Sequence, residues 1–272
     1  MPKALTRPIR SLLSGIGIRT VFHSIHGRRY LVPLECTSLK YLFFTRDDKY
    51  EPEVYQQILD LASPGAVVFD IGAHLGKYVV GLADRIRPSG RLTAFEANPM
   101  TALYLRQIVD FNHLHETVKV INGAVGDTIG EISIGVKGLG VDPSQTVFET
   151  QGVRPCQIPS LTIDNYCSTT GVYPNLIKID VEGYELKVLQ GARRTLQESS
   201  PTICCEIHPN NLAKLGTRAE EVLLYLNQAG YTPAPGICHE HGEPGHNWPY
   251  NLVFHKRTAP QLRRKNNSVR LA

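Results

Sequence analysis

Short apolar runs alternate with patterns of helical period along most of this chain. Val67-Val68-Phe69 opens the first run, over 67–71, and an apolar helical pattern follows over 77–87 until Pro88-Ser89-Gly90 stops it. The order then repeats. Runs over 91–96, 117–122, 176–179 and 202–207 read as strands buried on both faces. Helical patterns start at Pro99, with Asn98 as cap, and cover about 182–197 and 217–229, the last closed by Gly230. Short runs near Tyr231 and over 251–255 supply two final strands. Upstream, Val54, Ile58 and Leu61 put a helix over 51–62, ended by Pro64-Gly65. Strand-then-helix alternation predicts an α/β fold with a doubly wound, Rossmann-like parallel sheet.

Three segments stand outside this rhythm. Residues 1–50 mix strand-like pieces (30–32 and 41–44) with polar breaks and read as an N-terminal cap. Residues 130–160 are rich in glycine and polar residues and read as a β excursion or a loop over the site. Residues 258–272 form a basic tail expected to be disordered, which leaves 51–257 as the main domain.

The chemistry gathers at strand ends, where an open parallel sheet binds its ligands. The first strand runs into Asp70, Gly72 and Gly76, a D-x-G-x-x-x-G turn. A dinucleotide fingerprint would be G-x-G-x-x-G, and an acid there would repel a pyrophosphate, so a nicotinamide dehydrogenase is disfavoured. An acid suits a ligand with a cationic amino-acid part, such as S-adenosylmethionine (SAM). Glu96 ends the second strand, placed to accept hydrogen bonds from ribose hydroxyls. Asp180 follows the fourth strand, where a carboxylate accepts a hydroxyl proton or binds a divalent cation. Glu206 and His208 share a face of the fifth strand, and His208 is a candidate general base. Glu182 and Glu185 open a helix, where acids also complement the helix dipole.

The overall charge of +4 hides an asymmetry. Residues 1–34 and 256–272 each carry six Lys/Arg and no acid, which leaves 29 − 12 = 17 bases against 25 acids between them. Basic ends on an acidic body allow contact with an anionic membrane surface or nucleic acid, and equally fit solvated termini. Nucleic acid is the less expected partner, because IDVEG stands where an N-P-P-Y-type amide-methylating motif would follow the fourth strand. A non-catalytic SAM-fold binding protein is the other alternative, against which the set of strand-end acids speaks. No stretch approaches the roughly 18 continuous apolar residues of a membrane-spanning helix. Gly15, Gly17 and Arg19 break the apolar patch near the start, against a signal peptide, although the acid-free start also resembles a transit peptide. Six cysteines without a C-x-x-C pair fit a reducing, cytoplasmic setting. Cys238, His239, His241 and His246 offer zinc-type ligands in a spacing that matches no strong zinc pattern.

Eight segments in order carry a resemblance: YEPE, VVFDIGAHLGKY, FEANP, NGAVGD, IPSLTIDNY, IKIDVEGYELKVLQGA, ICCEIHP and NLVF. Together, over about 50–255, they resemble the FkbM-type SAM-dependent methyltransferases. The resemblance implies a class I methyltransferase sheet, mostly parallel with its last strand antiparallel, and transfer of a methyl group from SAM to a hydroxyl. The implied acceptor is a sugar, glycan or natural-product small molecule. Asp70, Gly72 and Gly76 would form the SAM turn and Glu96 the ribose contact, with the adenine over Gly123, Ala124 and Asp127. Glu51, Ala73, His74, Tyr78, Ala97 and Asp180 would complete the cofactor site, and His208 or Asp180 would serve as base. His74 stands where asparagine is usual. Catechol-type relatives bind magnesium through acids after the fourth and fifth strands. Asp180 fits the first position and Glu206 is the candidate for a second metal ligand, but His208-Pro209 replaces the usual second acid. A need for Mg2+ is therefore left open.

Overall fold

The computed structural model describes residues 6–25, 28–34, 52–136, 154–234 and 249–257. Helix α1 (Thr6–Gly15) leads into a hairpin of β1 (Thr20–Ile25) and β2 (Arg28–Pro33), and α2 (Pro52–Asp60) precedes the sheet. The main sheet takes β3 (Val67–Ile71), β4 (Arg91–Glu96) and β5 (Val118–Asn122), with α3 (Lys77–Ile86) and α4 (Pro99–Phe111) between them. A side sheet follows, made of β6 (Ala124–Val125), β7 (Gly130–Val136) and β8 (Arg154–Leu161). The chain continues through α5 (Ile163–Thr170), β9 (Leu176–Ile179), α6 (Glu185–Gln190) and α7 (Arg193–Glu198). It closes with β10 (Thr202–Ile207), α8 (Pro209–Lys214), α9 (Ala219–Gln228), β11 (Tyr231–Pro233) and β12 (Tyr250–Lys256).

The seven-stranded sheet has the order β11-β12-β10-β9-β3-β4-β5. Strands β10, β9, β3, β4 and β5 pair in parallel, and β12 runs antiparallel to both β10 and β11. The strand order reverses between β3 and β9, which opens a crevice at their carboxyl ends. Side chains alternate between two cores, one on each face. Val68, Val79, Leu82, Leu92 and Ile108 fill one, and Phe69, Ile177, Val188, Ile203 and Leu226 the other. Cys204 and Cys205 fall on opposite faces, each fully buried among apolar neighbours. Among the described residues no helix is long and apolar enough to cross a membrane.

Local signals explain several boundaries. The Asn98 side chain accepts the N–H of Met100 at 2.9 Å and of Thr101 at 3.3 Å, which caps α4 beside the cleft. The single helix expected over about 182–197 is instead two, α6 and α7. At Gly191 a Cβ would lie 1.9 Å from the Gly126 carbonyl oxygen, so the chain passes too close for any other residue there. Asp164, from α5, then caps α7 by accepting the N–H of Arg194 and of Thr195, each at 2.8 Å. The N-terminal hairpin docks on the end of α4, where Asn112 exchanges two 2.8 Å hydrogen bonds with the Leu31 backbone. Helix α1 and strand β1 had no expected counterpart, whereas 30–32 falls within β2. The strand expected over 41–44 lies outside the described residues.

Candidate active site

The cleft lies over the carboxyl ends of β3, β4 and β9, and each wall comes from one strand end. The β3 wall is the turn 72–76. Gly72 takes φ +82°, and a Cβ there would sit 1.8 Å from the Asp180 carbonyl oxygen, so only glycine lets the turn cross β9. The Gly72 and Ala73 N–H groups both donate to the Phe95 carbonyl, at 2.9 and 3.0 Å, which ties the turn to β4. Gly76, at φ +79°, starts α3 in the left-handed region.

Glu96 forms the β4 wall. Its Oε2 accepts the His74 N–H at 2.9 Å and its Oε1 the Asn98 N–H at 2.8 Å, so both carboxylate oxygens are fixed by backbone. Burial pushes its carboxyl up to about 7, against the pull of these two hydrogen bonds.

The β9 and β10 walls form a charged cluster. Lys178, 3% exposed, lies 3.4 Å from Asp70 Oδ1 and 3.2 Å from Asp180 Oδ2. Burial works to lower its ammonium, but the charges of Asp180, Asp70 and Glu206 outweigh it and keep it protonated. Burial likewise works to raise Asp180, yet the charges of Lys178 and His208 hold that carboxyl below its usual range. His208 is 4% exposed, and its Nδ1 lies 2.8 Å from Oε1 of the fully buried Glu185. Glu185 Oε1 also accepts the Gly183 N–H at 2.9 Å. Burial would lower the imidazole. The hydrogen bond to Glu185 and the charges of Asp180, Glu185 and Glu182 win, pushing it up to about 10.

Of the residues expected to hold the cofactor, Gly72, Ala73, His74, Tyr78, Glu96, Ala97, Ala124 and Asp180 line the cleft, as does Glu206. Four expected residues do not line it, the first being Gly76, which serves as the cap of α3. Asp70 lies beneath the floor, fully buried against Lys178. Asp127 faces away and pairs with Lys187 at 2.6 Å. His208 sits behind Asp180, Glu182 and Glu206, which do line the cleft. Glu51 and the histidine-rich run 238–246 lie outside the described residues. Two residues of the cluster escaped sequence reasoning in these roles. Lys178 carried a signal, a lone charge within the apolar run LIKI. Glu185 carried none, because its partner His208 is 23 residues away.

Comparison with known proteins bears on this cleft. A family model of the FkbM methyltransferase domain matches residues 70–233. The hexuronic acid methyltransferase AglP of Haloferax volcanii is 26% identical over 196 residues, covering 70% of this chain and 78% of that protein. A solved FkbM methyltransferase from Methylobacillus flagellatus is 21% identical with a TM-score of 0.47, covering 75% of this chain. The chain spans only 50% of that protein's length. The structure of a proposed rRNA methylase from Clostridium thermocellum gives a TM-score of 0.50 at 11% identity, over 76% of this chain and 95% of that one, a likeness of fold alone. Because the matched segment covers more than half of the sequence and contains every residue named above as lining the cleft, the chain belongs to the FkbM methyltransferase domain family.

Proposed function

We propose that this methyltransferase moves the methyl group of SAM to a hydroxyl of a sugar or glycan, with hexuronic acids as the first acceptors to try. The observation that carries the reading is a single cleft with Glu96 on one wall and Asp180 and Glu206 on another. Glu96, its oxygens aimed by two backbone N–H groups, suits the paired hydroxyls of a ribose. The Asp180 wall suits an acceptor hydroxyl beside the sulfonium. The hexuronic acid activity named for the 26% identical relative supports the sugar class.

In this reading an acceptor oxygen attacks the methyl carbon in line. The O–C bond forms as the C–S bond breaks, sulfur leaves as a neutral thioether, and the hydroxyl proton passes to the wall carboxylates. Asp180 is held below its usual range and is a weak base, so proton transfer accompanies methyl transfer rather than preceding it. His208 is off the cleft wall and already protonated at neutral pH, so it serves as a counter-charge rather than a free base. Magnesium on Asp180 and Glu206 is a poor match to the donors present. Mg2+ takes oxygen ligands, whereas an imidazole nitrogen faces both of these carboxylates.

The test is titration calorimetry with S-adenosylhomocysteine, followed by transfer of radiolabelled methyl from SAM to hexuronates, neutral sugars and RNA. Label in a sugar supports the reading, label in RNA alone replaces it, and no heat with folded protein sinks it. Asp180→Asn should lower kcat by about 10²–10⁴-fold while leaving S-adenosylhomocysteine affinity within a few-fold.

Glu96 gives a pH signature. Its carboxyl titrates near 7 in the folded protein, against 4.5 in an ordinary setting. The contribution of a raised acid is complete below 4.5 and is lost as pH rises through 7, so apo stability should fall across that window by on the order of 3 kcal/mol. Ribose recognition needs the carboxylate, so affinity should move the other way. S-adenosylhomocysteine should bind roughly tenfold more tightly at pH 8 than at pH 6, and Glu96→Gln should bind weakly with a flat profile. A pH-independent affinity in the wild type would remove Glu96 from the ribose site.

A further inference from the structure

His208 Nε2 points into a gap among carboxylates and meets none of them at hydrogen-bond distance. Glu182 Oε2 is 3.6 Å away, Glu206 Oε1 3.7 Å and Asp180 Oδ1 3.8 Å. The ring is 4% exposed, and its other nitrogen is anchored on Glu185 at 2.8 Å. An imidazole fixed through one nitrogen on a carboxylate, with the second nitrogen aimed at other ligand atoms, is the arrangement of a metal-bound histidine.

The neighbours complete that arrangement. Ligand atoms of Asp180, Glu182 and His208 all lie within 4.8 Å of one another. Each is also held in place. Asp180 is held by Lys178 through Oδ2 at 3.2 Å and His208 by Glu185 through Nδ1, while Asn211 Nδ2 fixes Glu182 at 2.9 Å through Oε2, the oxygen nearest His208. Five carboxylates (Asp70, Asp180, Glu182, Glu185 and Glu206) gather about the Lys178 ammonium and this ring, an excess of negative charge that a divalent cation would offset. Ligand atoms bound at about 2.1 Å to one ion stand roughly 3.0–3.4 Å apart. His208 Nε2 already lies 3.6 Å from Glu182 and 3.8 Å from Asp180, and the trio as a whole would draw in from its span of up to 4.8 Å on binding.

We propose that Asp180, Glu182 and His208 form a site for a first-row divalent transition-metal ion of the Mn2+ or Zn2+ class, the ion displacing the Nε2 proton that His208 carries in its absence, with Glu185 orienting the histidine. The imidazole selects against Mg2+, which favours oxygen ligands and keeps its water. Glu206 lies outside the trio and remains on the cleft wall as the proton acceptor when Asp180 holds the ion. The site deepens the methyl-transfer reading, since it would stand beside the acceptor.

The full chain, stripped with chelator and free of SAM and acceptor, is titrated with Mn2+ and followed by loss of the free-ion EPR signal. Saturation at one Mn2+ per chain, with Mg2+ at least roughly tenfold weaker, is expected. Co2+ in place of Mn2+ should give an absorption spectrum without a thiolate band. Glu182→Gln, at a side chain 30% exposed, should weaken Mn2+ at least roughly tenfold with an unchanged unfolding midpoint, and His208→Gln should abolish saturation. The proposal is overturned if folded wild-type protein shows no saturable Mn2+ or Zn2+ binding up to millimolar ion. Equal affinity for Mg2+, or affinity unchanged by Glu182→Gln, would overturn it too. Because no cofactor or acceptor is present, each of these failures leaves the methyl-transfer reading standing.

Discussion

Gly72→Ala should eliminate cofactor binding outright, with S-adenosylhomocysteine affinity falling by more than about 10²-fold and turnover lost with it. Two independent penalties meet at this position. The backbone sits at φ +82°, which costs a side-chain-bearing residue about 1–2 kcal/mol. The added methyl would also stand 1.8 Å from the Asp180 carbonyl oxygen, a backbone atom that cannot swing aside. Relief requires the turn to lift off β9, which would shift the His74 N–H that fixes Glu96 and widen the gap to the Asp180 wall. Gly65→Ala is the control. It has a similar φ of +81°, but its nearest heavy atom is the Ser89 hydroxyl oxygen at 3.1 Å, and it lies on a turn far from the cleft. It should cost only the backbone strain and leave affinity within a few-fold. Comparable binding loss in both variants would mean that strain, not the crossing of β9, is what counts.

His208→Gln should be the most destabilising single change at the site, by roughly 3–5 kcal/mol. The reason lies in its partner. Glu185 is fully buried, and its remaining oxygen, Oε2, has no hydrogen bond among the described residues. Removing the imidazolium leaves a carboxylate in the core with only the Gly183 N–H to answer it. Glu185→Gln in the same background removes the stranded charge and should recover much of the loss. Denaturant unfolding of the four species of this double-mutant cycle measures the coupling directly. Additive effects would mean that the 2.8 Å contact contributes nothing specific, and that His208 is held by packing alone.

The sheet was readable because its strands carry a simple signal. Runs such as VVFDI and TICCEI are apolar on both faces, and the interruptions between them are glycine turns or capped helix starts. Each strand end also puts its polar residue at the same edge, so Gly72, Glu96 and Asp180 could be assigned to one cleft from order alone. Vertical placement could not be read this way. Asp70 and Asp180 both follow apolar runs, yet one lies under the floor and the other on the wall. What separates them is strand pairing, which sets Asp70 opposite Lys178 of β9, with the ammonium within 3.4 Å of Asp70 and 3.2 Å of Asp180. The split at Gly191 was hidden for the same reason, because the segments that break the helix, 126 and 164, come from elsewhere in the chain. His208 looked like a base on intrinsic chemistry, and only the four surrounding carboxylates make it a cation.

Strand β12 is the last of the sheet to be synthesised, yet it stands inside it, between β10 and β11. Asn251 pairs with Glu206 and Tyr250 with Ile207, so the strand that carries the cleft's far wall has an open flank until this segment has left the ribosome. A nascent chain thus holds all of the matched family segment, 70–233, before it can hold a finished site. A stop codon between residues 234 and 249 would keep the whole matched family segment and lose, of the eight motif segments, NLVF alone. The product would present β10 as a bare edge, prone to pairing with the same edge of another copy.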